Sequence, residues 1–223
     1  MSTAVITGAN RGIGLEFTRR YLDAGWRVFA VNRGHSSDLR TLKDNPRLAL
    51  IKAELTNPQD LTRVAERLED EVVDLVINNA GIMGTGAVRQ ERRHRQGLED
   101  FSRDEWRAVF EINLFTPMHL LALLRPRLAA GARLVTISSS MGSISENEFG
   151  SWYAYRASKA AVNSLMKSVA LELGDAAIAI ALHPGWVRTD MGGAEADIDV
   201  QTSVAGMIEV IEGLTPEDLS LIH

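Results

Sequence analysis

Six short apolar runs, separated by amphipathic stretches, constrain this chain's fold more than any other feature. Thr3–Thr7, Arg27–Asn32, Leu48–Lys52, Val73–Asn78, and the segments 133–138 and 178–183 read as strands. They are mostly apolar throughout rather than alternating, the pattern of parallel strands covered by helices on both faces. Between them lie helical patterns. Segment 12–24 places Ile13, Leu15, Phe17, Tyr21 and Leu22 at helical spacing, and 57–69 opens with Asn57 as N-cap and Pro58 in the first turn. Ser102 with Glu105 three residues on is a capping-box signature before a long helix reaching Ala129, and 152–173 is a further long helix. With no Pro/Gly-rich linker and no repeat, the pattern predicts a single α/β domain over residues 1–223. Its core is a Rossmann-type, doubly wound parallel sheet of six or seven strands. Right-handed crossovers then put the functional loops at the carboxyl ends of the strands.

Composition narrows the function. Hydrophobic residues make up 45% and charged residues 24%, which fits a folded globular chain. The 24 Lys and Arg against 29 Asp and Glu argue against a nucleic-acid or anionic-membrane partner. The absence of cysteine excludes disulfides, thiolate metal sites and a cysteine nucleophile. The first residues lack the basic and apolar regions of a secretory signal, and no apolar run approaches the ~18 residues of a membrane span. A soluble cytoplasmic protein is the expectation.

The first strand ends in a glycine-rich turn, Gly8, Ala9, Asn10, Arg11, Gly12, Ile13, Gly14, which opens the first helix. Glycines let backbone approach a ligand closely, and a helix N-terminus offers free N–H groups to a pyrophosphate. The GxxxGxG spacing differs from GxGxxG and lacks the Lys-Ser/Thr of a P-loop. A plain glycine-rich turn would look similar, but the position after the first strand favours a dinucleotide. At the end of the second strand, where an acid would hold a ribose, stand Asn32 and Arg33. Arg33, with Arg11, suits a 2′-phosphate, which an acid would repel; this favours NADP(H) over NAD(H), although either arginine also reads as a solvated surface charge.

Tyr155 and Lys159 stand four apart on one helix face. A free phenol titrates near about 10, too high for proton exchange at neutrality, and an adjacent ammonium would lower it. Tyr153 has Ala157, not a lysine, four residues on, and Lys167 has Asn163 four residues before it. Ser138, Ser139 and Ser140 end the preceding strand, where a hydroxyl would donate to the carbonyl oxygen that Tyr155 protonates; they also suit a strand-ending turn. His183 reads as structural, without a second ligand at metal spacing. A serine hydrolase is disfavoured, since no GxSxG elbow occurs.

These residues together resemble the short-chain dehydrogenases/reductases over nearly the whole length. TGANRGIG at 7–14 matches the family's cofactor turn, and Asn78, Asn79, Ala80 and Gly81 match its NNAG motif. Asn113 matches the asparagine of its long helix, Ser139 its serine, and Tyr155 with Lys159 its YxxxK. Pro184, Gly185, Val187 and Thr189 match the segment beside the nicotinamide. The stretches 153–163 and 182–193 are similar to the C-factor and sniffer-type carbonyl reductases. The resemblance implies NADPH as cofactor and hydride transfer between it and a small carbonyl or alcohol substrate. It implies that Tyr155 gives the proton, Ser139 holds the oxygen, Lys159 lowers the phenol pKa and binds ribose, Asn113 supports a proton-relay water, and Thr189 holds the carboxamide. A homodimer is the family expectation. A signalling or binding protein that keeps the dinucleotide site is the competing reading.

The chain also departs from the family. Glu54-Leu55 stands where an Asp and an apolar residue usually meet adenine; Leu55 is retained as a cofactor contact. The segment 89–103, with Arg92, Arg93 and Arg95, is an arginine-rich connection read as a solvated loop. LSLIH at 219–223 offers a stunted seventh strand or none. Of Trp26, Trp106, Trp152 and Trp186, only Trp186 is placed to line a substrate pocket, with Met141, Ile144 and Met191; 192–200 reads as a mobile lid within the 186–200 region.

Overall fold

The computed structural model describes residues 1–34, 36–84, 97–215 and 218. Strands β1 (Thr3–Thr7), β2 (Arg27–Asn32), β3 (Leu48–Lys52) and β4 (Val73–Asn78) occupy the bounds their apolar runs predict. The last two, β5 (Leu128–Ile137) and β6 (Ala177–Leu182), complete a six-stranded parallel sheet in the order β3-β2-β1-β4-β5-β6. Chain order reverses between β1 and β4, so their carboxyl ends open the crevice in which such sheets take ligands. Segment 219–223, read as a stunted seventh strand or none, and Arg92, Arg93 and Arg95 lie outside the described residues.

Helices cover both faces. Helix α1 (Gly12–Asp23) packs on one side with α7 (Val200–Gly213), burying Leu15, Phe17, Leu22, Val204, Met207 and Ile211 with Ile6 and Ile180. The other face carries α3 (Pro58–Glu66), α5 (Thr116–Leu124) and α6 (Tyr153–Leu173), which bury Leu61, Leu120, Val162 and Met166 against Val5, Val76 and Leu134. Asn57 caps α3 as expected, its side chain accepting from Gln59 N at 2.9 Å. A four-residue helix, α2 (Ser37–Arg40), is capped by Ser36.

The helix expected from Ser102 to Ala129 is divided. Ser102 caps α4 (Arg103–Phe110), a π turn spans Glu111–Phe115, and α5 ends at Leu124 before the 3-10 turn Arg125–Arg127. Pro117 and Pro126 explain both breaks, since each withholds a backbone donor. Strand β5 therefore starts at Leu128, five residues earlier than expected, and its register jumps from Val73↔Leu128 to Leu75↔Arg133 around the left-handed Gly131 (φ +74°). The stretch Arg103–Arg127 has the length and mean hydropathy (1.2) of a membrane span, yet in this fold it is the crossover between adjacent parallel strands β4 and β5.

Helix α7 has no counterpart in the sequence reading. Its β-branched residues and central Gly206 blur a helical pattern, and Asp199, accepting from Thr202 N at 2.7 Å, starts it. Gly206 faces solvent, and a methyl there would meet no heavy atom within 4 Å. Gly206→Ala is expected to stabilise the fold by about 0.5–1 kcal/mol, read as a higher melting temperature.

Candidate active site

At the end of β1 the backbone folds into a cradle. Gly8 has φ +64°, and a Cβ there would lie 3.0 Å from Asn79 Nδ2. Gly14 is tighter: a Cβ would sit 2.3 Å from the Gly8 carbonyl oxygen. Asn79 ties the cradle to β4, donating from Nδ2 to the Thr7 and Gly8 carbonyls at 2.9 and 3.3 Å. The Thr7 hydroxyl accepts from the Asn79 and Ala80 N–H groups at 3.0 and 3.1 Å. No side chain caps the start of α1, and its first turn holds no acid. Positive potential and free N–H groups therefore face the crevice, a fit for a pyrophosphate.

The second-strand end is less open than the sequence implies. Asn32 is buried, and its Oδ1 accepts from Gly34 N at 3.2 Å. Arg33 is exposed, 4.0 Å from the Glu54 carboxylate, and Arg11 pairs with Asp190 across the crevice mouth. Both guanidiniums expected for a 2′-phosphate thus hold carboxylates in this structure. Leu55 is buried, its carbonyl accepting from Thr116 Oγ1 at 2.9 Å. Ser36, which sequence reasoning passed over, donates to the Asn10 carbonyl at 2.6 Å and braces the turn; its only sequence signal is a cap position.

The chemistry-bearing side chains converge at the ends of β4 and β5. Tyr155 and Lys159 are buried on the first turns of α6. Lys159 Nζ donates to the Ile137 carbonyl at 2.7 Å and lies 5.6 Å from the centre of the Tyr155 ring. The three serines have distinct places. Ser138 Oγ donates to Asn163 Oδ1 at 2.6 Å, and Ser140 N donates to His183 Nδ1 at 3.3 Å. Ser139 is the one whose side chain hydrogen-bonds Tyr155. His183 is thus a structural brace of the serine turn; burial lowers its pKa, against the opposing pull of Glu146.

Asn113 lies in the π turn, its side chain fully committed. Oδ1 accepts from Ile82 N at 2.9 Å, while Nδ2 donates to Ile82 O at 2.9 Å and Ser158 Oγ at 3.0 Å. Its backbone carbonyl lacks the usual α-helical donor, because the residue four positions on is Pro117. Gly81 closes the group: a Cβ there would come 3.2 Å from Asn113 Oδ1 and 3.8 Å from Lys159 Nζ.

Burial dominates the electrostatics of Tyr155 and Lys159. It pushes the Tyr155 phenol up to about 12, and the hydrogen bond with Ser139 pulls it back only in part. Burial also lowers the Lys159 ammonium, to about 8. Loss of water disfavours the charged form of each group, which raises the phenol and lowers the ammonium.

Residues 2–198 match the model of the short chain dehydrogenases. The chain belongs to that family. It is 39% identical over 148 residues to C-signal of Myxococcus xanthus, covering 65% of this chain and 84% of that protein. Among solved structures it is similar to an NADPH-bound carbonyl reductase from chicken fatty liver, at 30% identity and TM-score 0.87 over 100% of this chain and 95% of that one. The carbonyl reductase Sniffer of D. melanogaster aligns at 26% identity and TM-score 0.88, covering 100% and 96%.

In this short-chain dehydrogenase the segment after β6 wraps back over the crevice. Pro184 O accepts from Ser203 Oγ at 2.6 Å, Gly185 has φ +82°, and Val187 pairs with Ile198. Thr189 Oγ1 accepts from Gly192 N at 3.1 Å, and its methyl would lie 3.4 Å from a Cβ at Gly12. Segment 192–200, expected as a lid, is tied by Arg188 N to Ile198 O at 2.9 Å and Arg188 Nη1 to Ala196 O at 2.9 Å. Of the expected pocket residues, Trp186 is anchored through Nε1 to Gly192 O at 3.0 Å and Met141 is half-buried. Met191 is exposed and Ile144 is 88% exposed, so Ile144 turns to solvent instead of lining a closed pocket. An apolar hollow of about 200 Å³ lies instead beside the start of α6, lined by Leu98, Phe101, Trp106 and Tyr153. A larger open groove, about 750 Å³, follows the outer strand β3 and touches none of the candidate site residues.

Proposed function

We propose that this chain is an NADP(H)-dependent oxidoreductase that interconverts a small carbonyl compound and its alcohol. The observation that carries the reading is the group formed by half-buried Ser139 with buried Tyr155 and Lys159, beside a glycine cradle. Gly8, Asn10, Gly12, Ile13 and Gly14 would hold the pyrophosphate, Arg11, Asn32 and Arg33 the adenosine end, and Leu55 the adenine. Asn79, Ala80, Gly81, Lys159, Pro184, Gly185, Val187 and Thr189 would surround the nicotinamide and its ribose. When bound, NADPH supplies the hydride. Tyr155, kept protonated by burial, donates its phenolic proton to the substrate oxygen, and Ser139 donates a hydrogen bond that stabilises the charge developing there. Lys159 anchors to the Ile137 carbonyl and holds a positive charge beside the phenol below pH about 8. The Asn113 carbonyl, which Pro117 deprives of its usual helical donor, would take a water that returns protons through Lys159. The NADPH-bound chicken reductase supports the cofactor assignment. We also propose a cytoplasmic homodimer with small-molecule partners only.

NADPH oxidation measured across aldehydes, ketones and quinones tests the reading. Turnover with NADPH in preference to NADH is the expected result; absence of both turnover and NADPH binding would overturn it. Arg33→Asp is expected to shift preference toward NADH by about ten-fold or more in kcat/KM, since it adds a second carboxylate beside Glu54 where a 2′-phosphate would sit. An unchanged ratio would remove Arg33 from the assignment. The likeness to C-signal favours the second reading, a binding or signalling role for the same dinucleotide fold.

A further inference from the structure

We propose that Arg156 is a positioning residue for this reaction, holding the Ser139 turn and the entry to α6 in one fixed relation. The inference rests on the oxidoreductase reading above. Arg156 follows Tyr155 on α6, and its side chain faces away from the candidate catalytic group, toward the loop between β5 and α6. It is only 8% exposed. Nε donates to the carbonyls of Gly150 and Ser151 at 3.1 and 3.2 Å, and Nη1 donates to the Met141 carbonyl at 3.4 Å. The Phe149 ring covers the guanidinium, 4.5 Å from its centre. Nη2 is buried without a partner.

Each contact lands on a segment whose geometry matters. Met141 N donates to Ser139 Oγ at 3.2 Å, so the residue whose carbonyl Arg156 holds also orients the hydroxyl that meets Tyr155. Gly150, Ser151 and Trp152 have φ of +65°, +56° and +55°. Two residues with side chains in the left-handed region are strained, and such a turn persists only where its surroundings hold it. Trp152 is the N-cap of α6, three residues before Tyr155. A guanidinium buried here costs solvation, which its planar fork offsets by reaching carbonyls on two sides at once. An ammonium presents its donors from a single point and cannot span both.

Arg156→Ala and Arg156→Lys are to be compared with the wild-type chain for kcat, KM, NADPH affinity by fluorescence titration, and thermal melting. Positioning predicts that both variants bind NADPH like wild type and keep their KM for a small aldehyde. Their kcat should fall about 100-fold, the scale expected from a small misplacement of reacting groups. The lysine variant is the decisive one: near-wild-type kcat in it would show that positive charge alone suffices and would overturn the proposal, as would unchanged kcat in Arg156→Ala. If neither variant folds, Phe149→Ala decides, since it uncovers the guanidinium without removing it. A loss of kcat at constant NADPH affinity supports the proposal, and unchanged kcat overturns it. A wild-type chain without reductase activity would count against the oxidoreductase reading itself; an active wild type with active variants would count against Arg156 alone.

Discussion

Tyr155→Phe is expected to lower kcat for carbonyl reduction by about 10³-fold, within the range a positioned general acid contributes. The change removes one oxygen from a ring that is buried at the start of α6, so the packing around it stays. NADPH affinity should be nearly unchanged, because the glycine cradle, Asn79 and Lys159 are untouched. The pH behaviour follows from burial. The phenol, pushed up to about 12, is protonated throughout the neutral range and ready to donate. Lys159, lowered to about 8, is charged below that pH and neutral above it. Reduction measured as kcat/KM should therefore decline as pH rises past about 8, where the charge that steadies the developing phenolate is lost. The residual rate of the Phe variant should show no such limb. A Phe variant that reduces carbonyls at the wild-type rate would exclude the phenol from the chemistry. If a biological effect of the chain survived the substitution while reductase activity did not, the binding reading would stand in its place.

What the sequence made legible was whatever depends on local pattern. Continuous apolar runs located four strands to the residue; the glycine turn and the serine run each fell where a strand ends, and the Tyr-Lys spacing on the helix that follows. What it hid depends on long-range encounters. Arg11 meets Asp190 across 179 positions, and Asn113 meets Ser158 across 45. Neither pair carries a periodic signal. The choice among three adjacent serines becomes physical only when Asn163 takes Ser138 and His183 takes the backbone of Ser140. Electrostatic environment was the least legible. A lysine one helical turn from a tyrosine reads as a means of acidifying the phenol, but enclosure acts first on both, raising one pKa and lowering the other. Helix α7 escaped notice for a simpler reason: β-branched residues and a glycine weaken helical propensity, and tertiary contact with α1 overrides it.

Gly14→Ala separates local preference from spatial demand most sharply. Gly14 stands in the first turn of α1, where alanine is the better helix former by about 1 kcal/mol. Propensity alone therefore predicts stabilisation, as expected for Gly206→Ala. Space predicts the reverse. The added Cβ would lie 2.3 Å from the Gly8 carbonyl oxygen, 2.9 Å from the Gly8 carbonyl carbon and 2.5 Å from Asn79 Nδ2. Two of these are backbone atoms of the cradle itself, and Asn79 is held by its bonds to Thr7 and Gly8, so no flexible chain end can yield. Relief requires α1 to move away from the turn. Overpacking of this kind costs about 1–3 kcal/mol, which exceeds the propensity gain. The larger effect falls on function, because the N–H groups at the start of α1 and the turn that faces them form one anion site. NADPH affinity should drop about 100-fold, or roughly 2.7 kcal/mol, at a melting temperature that still reports a folded chain. Titration of NADPH fluorescence against Gly14→Ala, with Gly206→Ala as the spatially free control, reads the difference directly. Equal affinity in the two variants would mean that the cofactor does not sit on this turn, and the dinucleotide assignment would fall with it.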